Sequence, residues 1–396
     1  GLGHFDMRNI ENKTKNFVPT FQRDSRRIAP GNTTYISDNQ SCYATDEYFV
    51  CVDGDDWYPD LAIGRVPITS NDEGNLYINK LSKYETQSNN SNWRTNIILF
   101  ADDDIGADGR FEGASYHDGD AERISALIPD DFMQKKIYSV SYPVEIQAGA
   151  RRFPKVTEDI LNSTSINGAQ ILFYTGHGNP NILMHEQVVT RENTLQRFSN
   201  SDKLFYFMAS SCEVGRFDKN GTNCIGREIV MLPNTGAIAS ISATRVSGIS
   251  ANNTFFQYIY QTIFDRDEKG NYITIGESAR RAKYYYGSEP TAEALMYVIL
   301  GDPTLTLLYP NGNVSIDKIN DIIIENNDEE DSMVVDIKAL SKIKINGTIR
   351  YSLSNEIIDN FNGTVILSLN EANIEVECIT QNALHKFIDA GAILNK

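Results

Sequence analysis

"ILFYTGHGNP", residues 171–180, and "LFYFMASSCEVG", residues 204–215, decide how this 396-residue chain reads. Each opens as a continuous apolar run of strand length and stops at small, turn-forming residues. Each ends on a chemically active side chain, His177 between Gly176 and Gly178 in the first and Cys212 after Ser211 in the second. A strand apolar on both faces belongs to a parallel sheet covered by helices. In such sheets functional groups gather beyond the carboxyl ends of the strands. The stretch between the two runs is long enough for one crossover between parallel neighbours. Strand ends about 5 Å apart would then bring an imidazole and a thiol to one edge. Gly176 and Gly178 let the backbone turn sharply there and expose its N–H groups.

Working outward, more runs share this character. "TNIILFA", "KKIYSVSY", "GAIASISAT" and "LMYVIL" read as strands, and "GDAERISALI", "KVTEDILNS" and "NNTFFQYIYQTIF" as amphipathic helices between them. The alternation predicts an α/β fold with a mainly parallel sheet flanked by helices over residues 93–310. Residues 1–92 read as an N-terminal α/β subdomain. In it "EGNLYINKLSKYE" has Leu76, Ile78, Leu81 and Tyr84 at roughly helical spacing. Residues 311–396 change character. An acidic loop, "ENNDEEDS", precedes short alternating runs, "MVVDIKAL", "KIKINGTIRYSL" and "GTVILSL", which predict an Ig-like β-sandwich segment, incomplete in this chain.

Composition narrows the function classes. The chain is 41% hydrophobic, which suffices for a sizeable core, and its net charge of −17 repels phosphate backbones, so nucleic acid is not an expected partner. No apolar stretch of about 18 residues is present to form a membrane span. The start, "GLGHFDMRNI", reads as that of a fragment or processed form without its export signal. Five cysteines leave at least one unpaired, and the spacing of Cys42 and Cys51 does not decide whether they bridge.

A thiol becomes a nucleophile when a base holds it as thiolate. Histidine can deliver the proton that a leaving amine needs. The N–H groups of Gly178 and Cys212 are suited to receive an oxyanion. A lone buried cysteine or loop histidine would mean little; the two at successive strand ends point to a Cys–His pair. Cys224, at the start of a helix, is the rival nucleophile but has no matching histidine. "HEQVV", residues 185–189, lacks the second histidine of a zinc helix. The acidic loop "ADDDIGADGRFE" offers Asp104 and Asp108 as candidate ligands for an oxygen-liking cation such as calcium.

These residues resemble a known family. "YTGHG" followed by a strand ending in Ser-Cys is similar to the gingipain family of cysteine peptidases, within the caspase-like fold group. "DLAIGRVPI" and "LGDPTLTLLYP" extend the similarity over most of the chain. "HGNPNILMHE", "SSCEVGRFD", "SATRV" and "DIKALSKIKINGTI" resemble the branch that serves as sortase of the type IX secretion system. The resemblance implies Cys212 as nucleophile, His177 as its partner, and Asp102 or Asp103 as the acid that orients the ring. It places His117, Glu213, Thr244 and Arg245 around the substrate, with Arg245 either attracting a substrate carboxylate or pairing with an acid. It implies no cofactor for the chemistry, with structural Ca2+ as an addition. The implied substrate is an exported polypeptide with a C-terminal sorting domain, and the implied acceptor is a surface lipopolysaccharide. The implied setting is the outer-membrane surface of a bacterium, alongside other secretion-system components. A plain extracellular endopeptidase and a catalytically silent scaffold are the alternatives.

Overall fold

The computed structural model describes residues 18–24, 42–87, 92–106, 109–112, 117–219, 223–286, 290–310, 312–324, 341–351, 354–362, 365, 367, 374–380 and 383–389. Six strands form the central sheet: β1 (Asn96–Ala101), β2 (Met133–Tyr138), β3 (Ile171–Thr175), β4 (Phe205–Ser210), β5 (Ala237–Ala243) and β6 (Tyr297–Leu300). They lie in the order β2-β1-β3-β4-β5-β6, all parallel except the antiparallel edge strand β6. Each strand expected from the apolar runs is present. The mainly parallel sheet with flanking helices follows the predicted class.

The chain leaves β1 toward β2 on one side and returns to β3 on the other. The order therefore reverses between β1 and β3, the switch point where an open α/β sheet leaves a crevice at its carboxyl edge. The central strands are buried on both faces because successive residues serve different cores. Ile97, Leu99 and Ala101 enter one apolar cluster, and Ile98 and Phe100 the other. The first face is covered by α2 (His117–Ser125), α5 (Ile249–Tyr260) and α6 (Ile275–Tyr284). The second is covered by α3 (Pro154–Asn162) and α4 (Ile225–Met231).

The N-terminal region differs in detail from expectation. Helix α1 (Asn71–Thr86) forms where predicted, with Ser70 accepting the Glu73 N–H as its N-cap and Glu73 reaching back to the Thr69 N–H. Its buried face is Tyr77, Lys80 and Tyr84, while Ile78 is exposed. The apolar spacing misplaced that face because Lys80 is buried as a hydrogen-bond donor to the carbonyls of Val230, Leu232 and Thr235. The thiols of Cys42 and Cys51 are both free.

Beyond residue 310 the described residues form a three-stranded antiparallel sheet built on Gly312–Ile319 and Ile345–Tyr351, and a separate hairpin of Ile374–Thr380 with Ala383–Asp389. They do not pair into a sandwich. "MVVDIKAL" and most of "GTVILSL", where further Ig-like strands were expected, lie outside the described residues. The hairpin packs on the catalytic region: Phe387 meets the Tyr138 ring edge-on at 4.7 Å, and His385 is buried.

Candidate active site

Strands β3 and β4 pair in parallel with Thr175 opposite Ser210. His177 and Cys212 each stand two residues past that pair, so the sheet register itself sets them side by side at the carboxyl edge. The Gly176 N–H donates to the Ser210 carbonyl at 3.3 Å, which keeps the two chains together past the strand ends. Gly176 has φ +152° and lies against Asp102 and the Tyr174 hydroxyl; a Cβ there would collide with both. A Cβ on Gly178 would collide with Ser211 Oγ, next to Cys212. The two glycines are therefore required by close approach as well as by the turn.

The Cys212 thiol is half-buried and donates to the Ser247 carbonyl at 3.3 Å. Glu213, the next residue, is held in the left-handed region at φ +56°, a strain of the kind that collects at functional sites. Its carboxylate pairs with Arg216. Among the described residues, the N–H groups of Gly178 and Cys212 donate to no acceptor in the chain.

The histidine ring is held differently from expectation. Its Nε2 lies 2.5 Å from Glu112 Oε2, a residue the sequence reading passed over as part of an acidic loop. The Asp102 carboxylate instead accepts the backbone N–H of His177 at 2.9 Å. The Tyr174 hydroxyl donates to the His177 carbonyl at 2.5 Å. Burial, followed by the neighbouring Asp103, holds the Asp102 carboxyl well above the usual range. Asp103 is bonded by Arg151, which also donates to Glu186 at 3.0 Å. Burial and then Glu186 raise Asp103 to about 6, against the opposing pull of Arg151. The two aspartates thus fix the backbone and a neighbouring loop, and the ring nitrogen goes to Glu112.

The residues expected around the substrate separate. His117 is beside the site, its ring edge-on to His177 at 5.4 Å between centroids, and it is 2% exposed. Thr244 is fully buried and donates to the Ala44 carbonyl, so it does not line a pocket. Arg245 is buried against Asp218, with hydrogen bonds of 2.8 and 2.6 Å, and is not available to a substrate carboxylate. Of the two readings for Arg245, the pairing with an acid is the one observed. Cys224 is wholly buried, and burial pushes its thiol up to about 12, overriding any effect of the helix it caps.

Asp104 and Asp108 were the candidate ligands for a cation such as calcium. Asp108 lies outside the described residues. The Asp104 carboxylate is already engaged by the buried His385 ring at 3.1 Å, and Asp103 and Glu186 share the Arg151 cation.

His117 gives a pH dependence. Burial, followed by His177, lowers it from 6.5 to about 3. Between those values the unfolded chain binds more protons, so stability rises with pH across the window and falls on acidification. Going from pH 6.5 to about 5 is expected to remove about 2 kcal/mol through this ring. His117→Gln should flatten the dependence of unfolding free energy on pH over that range; an unchanged slope would show that the buried ring is not its source.

A profile of peptidase family C25 matches residues 1–308, more than half of the chain. The chain belongs to peptidase family C25. This is the gingipain-type family that the quoted motifs anticipated. No curated protein matches the sequence significantly. Among solved structures, the pro- and mature domains of RgpB from Porphyromonas gingivalis align with TM-score 0.54 at 17% identity, covering 69% of this chain and 63% of that one. A second, described as a protease, aligns with TM-score 0.51 at 15% identity, covering 88% and 78%. Dimeric latent PorU from Porphyromonas gingivalis is similar at 16% identity over 95% of this chain but 28% of its own, with TM-score 0.34. This C25 chain thus spans 63% of the RgpB chain, and at these identities the first two alignments speak to the fold alone. Among the described residues, no helix of the family member is long and apolar enough to cross a membrane.

Proposed function

We propose that this C25 peptidase cleaves polypeptides through Cys212 and His177. The register that sets both residues two positions beyond the Thr175–Ser210 pair carries the reading. The Cys212 thiolate attacks the scissile carbonyl, and the C–N bond breaks as His177 gives its proton to the departing amine. Glu112 steadies the ring through Nε2. The N–H groups of Gly178 and Cys212 receive the oxyanion. The acyl-enzyme then passes its acyl group to water or to an amine.

The stretches that resemble the type IX secretion sortases support a finer reading: removal of C-terminal sorting domains and transfer of the new carboxyl end to an amine of surface lipopolysaccharide, at the outer-membrane surface. Transfer outcompetes hydrolysis when the acceptor is held close, since effective molarities of well-oriented groups reach about 10⁵ M or more. Incubation with a sorting-domain junction peptide and a small primary amine is expected to give amine-capped fragments by mass, dependent on Cys212. Only free carboxylates at every amine concentration would favour the plain endopeptidase. No cleavage of any peptide would favour a silent scaffold.

A further inference from the structure

Two imidazoles and a carboxylate meet at the open side of the site. Glu112 Oε2 is 2.5 Å from His177 Nε2, and the His185 ring stacks on His177 with centroids 4.6 Å apart and planes 30° from parallel. One donor atom from each of Glu112, His177 and His185 lies within 4.8 Å of the other two. Thiol-based hydrolysis has no use for the second imidazole. We infer that these three residues form a site for a divalent transition metal of the zinc type, and that the bound ion silences the peptidase by holding His177 Nε2, so that the ring can no longer take up the second proton it must pass to the departing amine. The silencing rests on the Cys–His reading above; the metal site does not.

The donor set selects the class of ion. Two imidazoles with one carboxylate suit zinc and its first-row neighbours, whereas calcium and magnesium take oxygen ligands. Tetrahedral bonds of about 2.0–2.1 Å place ligand atoms roughly 3.4 Å apart, so the Glu112–His177 contact need open by only about 1 Å. Both side chains can move that far and an ion can reach them, because they are 29% and 28% exposed. Three protein ligands leave a fourth position open. A second set, Asp102, His117 and His177, satisfies the same distance limit, but two of its three members are buried, and its carboxylate is taken by the N–H groups of His177 and Asp103. The open set is the better site. It is invisible to a motif search because His177 and His185 belong to opposite sides of a turn, joined by the Met184 N–H donating to the His177 carbonyl.

The test uses the full chain carrying Cys212→Ala, which removes the thiol as a ligand and requires no turnover. Zn2+ binding is followed by calorimetry and Co2+ binding by visible absorption. One ion per chain is expected, with affinity falling at least about ten-fold when His185→Ala or Glu112→Gln is added. Melting without metal checks that each variant folds. With Cys212 intact, Zn2+ should inhibit peptide cleavage reversibly with a chelator, and the inhibiting concentration should rise by a similar factor in His185→Ala. Absence of binding, or affinity unchanged in both added variants, overturns the site. Binding through these ligands without inhibition overturns the silencing. Failure of the metal-free enzyme to cleave any peptide overturns the Cys–His reading and leaves the binding result standing by itself.

Discussion

Cys212→Ala is expected to lower peptide cleavage by at least about 10⁴-fold while leaving the fold in place. The size follows from the mechanism. Without a thiolate no acyl-enzyme forms, and His177, Glu112 and the two free N–H groups have no covalent step to assist. The fold should tolerate the change because the thiol is half-buried and its hydrogen bond to the Ser247 carbonyl is a weak one, so a stability loss below about 1 kcal/mol is expected. Cleavage of a fluorogenic peptide, set beside a melting curve, separates the two effects. The contrast with Cys224 sharpens it. That thiol is wholly buried and pushed up to about 12, so Cys224→Ala should cost packing and spare catalysis. Normal cleavage in Cys212→Ala together with its loss in Cys224→Ala would mean that the nucleophile is the other cysteine.

Arg245→Ala is expected to destabilise the catalytic unit by about 3–5 kcal/mol. The guanidinium and the Asp218 carboxylate are both buried and bonded to one another twice, and the Thr244 carbonyl accepts from the same guanidinium. Removing the cation strands a buried carboxylate without water to solvate it. Thermal melting should drop on the order of 5–10 °C. Cleavage below the transition should keep its KM for peptides with and without a free carboxyl end. A selective rise in KM for the free carboxyl end, with melting unchanged, would return Arg245 to the substrate. Replacing the pair together, with Arg245→Met and Asp218→Leu, should recover part of the lost stability, because the uncompensated charge is then gone.

The motifs made the centre of the site readable because chemistry and backbone constraint fall on the same few residues. A histidine between glycines after one apolar run, and a cysteine after the next, can be aligned by counting along strands. The surrounding residues were less readable. Thr244 and Arg245 follow β5, next to the strand that leads to Cys212, and in one dimension they look as near to a substrate as Cys212 does. Whether a side chain at a strand end points to solvent or into the protein depends on what packs over it. Here the Ala44 carbonyl and Asp218, distant in sequence, claim both. Glu112 was missed for the opposite reason. Nothing local distinguishes it from the other acids of "ADDDIGADGRFE", and its place against the ring comes from the loop folding back, with the Glu112 N–H donating to the Asp104 carbonyl.

Local pattern along the chain is enough to give the alternation of doubly apolar strands and amphipathic helices, the family, and the placement of His177 and Cys212 at successive strand ends. These are properties of local pattern, and a parallel sheet converts local pattern into position with little freedom once its register is set. Folding in three dimensions selects the acid that meets the histidine ring, puts Arg245 in a buried pair, and lays His185 on His177. Each of these depends on long-range contacts. Burial and competition for hydrogen-bond partners choose one carboxylate or one cation among several that are chemically equivalent along the chain.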